Sequence, residues 1–187
     1  IGANATMFGV VDQLFFGPPA HVRDPAQVVA IVAGQVDRGF SQRTSNYPVY
    51  KAIRDHARAF VSVAATADAQ VPLGRGEEAQ SLEGLLVSAS YFPMLGVSPA
   101  IGRFFRADED VEPLGAPVVV ISYAFWQRRF GGASSANGAT LPLADRTFTI
   151  IGIAPQGFTG VELSAPDVWI PISSAGPMNF FGRVWAK

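Results

Sequence analysis

The chain has 187 residues, 49% of them hydrophobic, with 14 Lys plus Arg against 15 Asp plus Glu. That length fits one ordinary domain, or two small units sharing a boundary, and the apolar share is enough for a real core. The balanced charge lacks the concentrated basic face that nucleic acid requires, and the absence of cysteine excludes disulfides, thiolate metal sites and a cysteine nucleophile.

The first stretch, "IGANATMFGVVDQLFFG" (1–17), carries one charge, Asp12. Apolar residues at 7, 8, 10, 11, 14 and 15 give helical spacing, and "GPP" (17–19) stops the element. No Lys or Arg precedes Arg23, so the basic region of a secretory signal is missing. A complete membrane span needs about 20 apolar residues, and this stretch is shorter and holds Asn4, Thr6, Asp12 and Gln13. A buried core helix, the outer end of a membrane helix and a strand all remain open from these residues alone.

"AQVVAIVAGQV" (26–36) reads as a strand. "SNYPVYKAIRDHARAF" (45–60) reads as a helix, with Ser45 or Asn46 as cap and Pro48 in the first turn. Val49, Ile53 and Ala57 mark its apolar line, with Lys51, Arg54, Asp55 and Arg58 mostly off it. "FVSVAATADAQV" (60–71) alternates Val61, Val63, Ala65 and Ala67, a strand with one buried face. Strand, helix and strand together form a βαβ-like unit whose pairing sense is not readable.

After a polar turn (72–80), "EGLLVSAS" (83–90) predicts a strand, and "SYFPMLGVSP" (90–99) a short helical turn closed by Gly96. Residues 100–117 read as a loop with an acidic cluster, Asp108, Glu109, Asp110 and Glu112. "VVVIS" (118–122) is a buried strand. Ser122 then caps the helix "YAFWQRRF", where Trp126 and Phe130 are expected to stack and Gly131 to provide the stop. "ATLPLADRTFTIIGIAP" (139–155) predicts two strands joined at "LADR". Gly152 suggests a bulge or close packing there. "DVWIPI" (167–172), with Trp169 in the core, and "FFGRVWA" (180–186) complete an α+β pattern.

No catalytic, cofactor-binding or metal-ligating residues are assigned. His21 and His56 have no metal-ligand spacing and read as surface histidines. There is no G-x-S-x-G elbow, and "GVSPA" (96–100) is only superficially similar. "DEDVEPLG" lacks calcium-loop spacing and reads as a solvated acidic loop. "GRGEE" and "FGGASSANG" match no nucleotide-binding loop, so an energy source would lie on another chain or domain. The aromatic pairs, "FWQRRF" included, read as core rather than as stacking platforms for single strands.

Four ordered segments carry a resemblance: "SNYPVYKAIRDHARAFVSVAA", "VSASYFPMLGVSPAIGRFF", "VVVISYAFWQRRFGG" and "RTFTIIGIAPQGFTGVE…DVWIPI". Together they resemble the MacB-type periplasmic core domain of ABC-transporter permeases (MacB/FtsX-like), most closely the ADOP-type orphan permeases. The resemblance implies a domain held outside the cytoplasmic membrane between two membrane helices. It assigns 1–17 to the outer end of a transmembrane or stalk helix. It makes 18–79 with 176–187 a mixed α/β subdomain, and 80–175 an inserted, mostly β subdomain. Family members continue beyond the position of Lys187, so the first subdomain is expected to be incomplete, with an exposed sheet edge. The implied partners are a cytoplasmic ABC ATPase, a second permease copy and a periplasmic adaptor, with no cofactor and no nucleic acid. The implied work is mechanical, with no enzyme activity: ATP-driven motion passes through the membrane helices to substrate handling outside. A membrane-anchored binding or scaffold domain without transport is the alternative.

Overall fold

The computed structural model describes residues 20–31, 45–76, 79–161, 165–175 and 181–187. The expected membrane-helix end (1–17) and residues 176–180 lie outside the described residues. The strands are β1 (Val29–Ile31), β2 (Ser45–Asn46), β3 (Val63–Leu73), β4 (Gln80–Val87), β5 (Ile101–Gly102), β6 (Val118–Ile121), β7 (Thr140–Leu143), β8 (Arg146–Ile153), β9 (Val168–Pro171) and β10 (Phe181–Ala186). The α-helices are α1 (Tyr47–His56), α2 (Tyr91–Leu95) and α3 (Tyr123–Phe130). The fold class is α+β, as expected.

The βαβ-like unit acquires its pairing sense. β1 and β3 each pair antiparallel with β10, one on either side, so β1 and β3 run parallel with β10 between them. Helix α1 begins as the sequence indicates: the Asn46 side chain accepts from the amide of Val49 at 3.1 Å, and Pro48 occupies the first turn. Its buried face differs from the expected line. Tyr47 and Tyr50 are buried and Ile53 packs beside them, whereas Val49 is only half-buried and Ala57 is the C-cap. With the helix starting at Tyr47, positions 47, 50 and 53 turn toward the sheet.

Strand β3 also departs from simple alternation. Residues 63–67 are all buried, because α1 covers one face and α2 the other: Val63 and Ala65 pack with Tyr47 and Tyr50, and Ala64 with Tyr91 and Leu95. Val61, expected inside, is 95% exposed. The strand starts two residues later, and the Val61 amide instead donates to the Lys187 carbonyl at 2.6 Å. From Thr66 onward, β3 pairs with β4, running from Thr66↔Val87 to Leu73↔Gln80. One strand thus serves two cores, and Gln80, the first residue of β4, lies opposite its end at Leu73.

The ladders β3–β4–β9–β6–β8–β7 return to β3, closing a ring of six strands. Closure between β7 and β3 is brief: Leu73 faces Leu143, flanked by bonds from Gly74 N to Pro142 O and from Ala144 N to Pro72 O. Val71, Leu82, Val119, Ile121, Leu141, Leu143, Ile150, Val168 and Ile170 fill the interior. α3 adds Phe125 and Trp126 to that core. It is capped by Ser122, which accepts from the Phe125 amide at 3.1 Å, and it ends at Gly131 with φ 57°. The ring partner of Trp126 is Tyr123, edge-on at 5.1 Å, rather than the expected Phe130.

Alternate residues of the same strands point outward. Leu85, Val120 and Trp169 join Tyr91, Phe92, Leu95, Phe105 and Phe158 in a second core. Gly152 sits where the β6–β8 register shifts, and a Cβ there would run into the carbonyl oxygen of Arg103. This is the expected bulge and close approach. The hairpin at "LADR" is formed as expected, with Ala144 at φ 51°.

Candidate functional site

Chemistry gathers where α1 meets the loop after β5. The expected solvated acidic loop is a correction. Only Asp108 of the four acids has no described hydrogen bond and stands exposed; the others clamp separate parts of the fold. Short-range reading missed this because most partners lie far away in sequence. Asp110 accepts from Ala89 N at 2.9 Å with one oxygen, and from Ser173 N (3.1 Å) and Ser173 Oγ (2.7 Å) with the other. The ends of β4 and β9 are thereby tied to one carboxylate. Ser173 is fully buried, so without Asp110 its donors would have no route to water.

Glu109 ends the 3-10 turn Ala107–Glu109. Its carboxylate receives both terminal nitrogens of Arg103, one at 2.7 Å, and also the amide of Arg106 at 2.9 Å. The Arg103 hydrogen bond holds the Glu109 carboxyl below its ordinary range and pushes the guanidinium up. Glu112 reaches across to Lys51 of α1 at 2.6 Å, with both side chains about two-fifths exposed. Burial pushes Tyr47 up to about 12, and the charges of Asp110 and Glu112 add to the effect.

Between α1 and this loop lies a cleft of about 340 Å³, lined by Tyr50, Arg54, Phe60, Ser90, Ala107 and Asp110 among others. Arg54 rests over the Tyr50 ring at 5.5 Å and pairs with Asp55 at 2.8 Å. Ser173 and Asp110 form a hydroxyl–carboxylate pair, but neither histidine approaches it. His21 bonds the Gln156 carbonyl and His56 the Ala52 carbonyl, both exposed. Both Asp110 oxygens are occupied by donors, which suits a fixed joint more than a proton carrier. Among the described residues, no group of three acidic or histidine side chains could hold a metal ion. Among them too, no helix is long and apolar enough to cross a membrane.

The shared motifs resolve into packing. In "YFPMLG" and "GRFF", Phe92 stacks on Phe104 at 3.9 Å and lies near Phe105, Phe158 and Trp169. The expected core tryptophan, Trp169, is fully buried.

Comparison with solved structures shows where this fold recurs. The periplasmic region of MacB from Actinobacillus actinomycetemcomitans is similar with a TM-score of 0.66 at 16% identity, over 89% of this chain and 76% of that one. The extracellular domain of the noncanonic ABC-type transporter YknZ from Gram-positive bacteria is similar at 0.62 and 14% identity, over 86% and 82%. A search of curated proteins gave no match. The family model for the MacB-like periplasmic core domain matches residues 1–186, and the chain belongs to that family of ABC-transporter permease domains, which is not a catalytic one.

Proposed function

We propose that the domain acts outside the cytoplasmic membrane as a stiff lever, receiving ATP-driven motion of the membrane helices and passing it to substrate handling. The observation that carries this reading is the unbroken series of ladders β1–β10–β3–β4–β9. Among the described residues it joins the α1 core to the barrel through directly hydrogen-bonded strands. The Asp110 clamp ties the ends of β4 and β9 together within the second unit, and the Lys51–Glu112 pair reaches from that loop to α1. The two units are read as 18–79 with 176–187, and 80–175, with β3 as their shared strut. The proposed partners are a cytoplasmic ATPase, a second permease copy and a periplasmic adaptor.

Spin-label distances in the full-length permease with its ATPase test the lever. The domain has no cysteine, so Ala52→Cys on α1 and Ala124→Cys on α3, both exposed, place single labels. The distance between the two labels within one domain is expected to stay constant on adding ATP. Distances between equivalent labels on two copies are expected to change. A domain that deforms internally, or copies whose separation ignores ATP, would overturn the lever and favour the scaffold alternative.

A further inference from the structure

The barrel has one end covered and one end open. α3 leaves from the end of β6 at Ile121, which faces Ile153, the last residue of β8. The opposite end lies at the first residue of β8, Arg146. Along β8, Phe148 and Ile150 are buried in the barrel core, while Thr147 and Thr149 are exposed. Arg146 therefore falls on the inward register at the mouth.

A cavity of about 180 Å³ opens there, lined mainly by apolar side chains: Ala69, Val71, Leu86, Leu143, Phe148 and Ile170. Gln70, Asp145, Arg146 and Ser174 supply the polar part of its wall. The Arg146 guanidinium lies over the Phe148 ring at 5.3 Å. It donates to the Gly115 carbonyl at 3.1 Å and, at the limit of a bond, to the Ser174 carbonyl at 3.5 Å. No carboxylate of a described residue forms an ion pair with it, not even its neighbour Asp145. The other two half-buried arginines among the described residues, Arg103 and Arg183, each have such a partner, whereas exposed arginines such as Arg58 and Arg129 stand in solvent. A half-buried cation, oriented by a ring and a carbonyl and facing an apolar cavity, has most of its five donors unused.

We propose that the mouth of the barrel binds a small amphiphilic monoanion, its apolar body against Leu143, Phe148 and Ile170 and its carboxylate on Arg146. Mouths of β-barrels are a recurrent place for small-molecule sites. At roughly 30 Å³ per water-sized group, the space takes about six heavy atoms, enough for a short alkyl chain whose carboxylate stays at the rim on Arg146. The planar fork of arginine suits a carboxylate in two-point contact. The site does not depend on the lever reading.

Hexanoate is the probe, with acetate as the matched head group and hexanol as the matched tail, each titrated into the chain while amide and Arg146 Nε signals are followed by NMR. Hexanoate is expected to saturate, with shifts centred on Leu143, Arg146, Phe148 and Ile170. Acetate and hexanol are expected to bind at least tenfold more weakly. Arg146→Gln should cost at least tenfold for hexanoate and leave hexanol unchanged. That variant also loses the bond to Gly115, so Ala69→Leu serves as an independent arm, filling the cavity with Arg146 in place. It too should cost at least tenfold. Acetate binding as well as hexanoate, shifts scattered over the surface, or a folded Ala69→Leu that titrates like the parent would each overturn the site.

Discussion

The aromatic face of the central sheet and the acidic-loop seam both hold together residues far apart in the chain, the first by ring packing and the second by directed hydrogen bonds. On the face, Phe92 touches rings drawn from positions 91, 104, 105, 158 and 169. At the seam, Asp110 alone fixes the backbone at 89 and 173. Ring packing is non-directional and scales with buried area, so it supplies stability. A carboxylate with three donors adds less energy but sets position, because its bonds are short-ranged and angular.

This contrast is broken most severely on the aromatic face. Phe92 is fully buried, and Phe92→Ala is expected to cost about 3–5 kcal/mol in a urea melt, from lost burial plus the cavity left behind. A cost below about 1 kcal/mol would mean that the face collapses around the deletion and is loosely packed.

Asp110→Ala should come next, at about 2–3 kcal/mol, because it leaves the Ser173 donors and the Ala89 amide without their acceptor. Asp110→Asn retains one carbonyl acceptor and is expected to lose roughly half as much. The two substitutions together separate the bonds from the space they occupy. Equal losses for both would assign the effect to charge, not to the count of acceptors.

These regions also differ in how far the sequence shows them. Local signals had local causes. Asn46 and Ser122 cap helices, Gly96 and Gly131 end them, and "LADR" turns a hairpin. Each depends on residues a few positions away. The aromatic face was legible as composition: rings flanked by apolar residues go inside, although which ring meets which does not follow. Trp126 meets Tyr123 and not Phe130, a choice between two neighbours on the same helix face. The seam was not legible, because an acidic run is normally solvated and its partner Ser173 lies 63 residues from Asp110. The double burial of residues 63–67 was hidden similarly. Two helices from different parts of the chain cover opposite faces of β3, and alternation assumes that one face meets water. Barrel closure rests on a single residue pair, Leu73↔Leu143, across 70 positions.

Tyr47 sharpens the comparison, since it belongs to an apolar core yet feels the acids of the seam. Its pKa is raised from 10.0 to about 12 in the folded chain. A raised value means that the folded state holds its proton more tightly than the unfolded state. The corresponding stability is present below about pH 10 and is lost as pH rises toward 12. Near pH 12 the loss should be on the order of 2 kcal/mol. Tyr47→Phe, which cannot ionise, should flatten that limb of the stability–pH curve relative to the parent. An unchanged alkaline limb in Tyr47→Phe would place the titrating groups elsewhere.

The smallest expected effect tests whether the seam ends at Asp110 or extends to α1. Lys51 and Glu112 are 2.6 Å apart, but their side chains are 41% and 40% exposed. Water screens both charges, and ordering two flexible side chains offsets much of the attraction, so their coupling should be below about 0.5 kcal/mol. A double-mutant cycle with Lys51→Ala and Glu112→Ala measures that coupling free of each residue's other contacts, including the Lys51 ammonium 5.9 Å from the Tyr47 ring. The coupling should shrink further in about 1 M salt, where the screening length falls to about 3 Å. A salt-insensitive coupling above about 1 kcal/mol would put the pair inside the clamp. α1 would then be fixed to the acidic loop as firmly as the ends of β4 and β9 are.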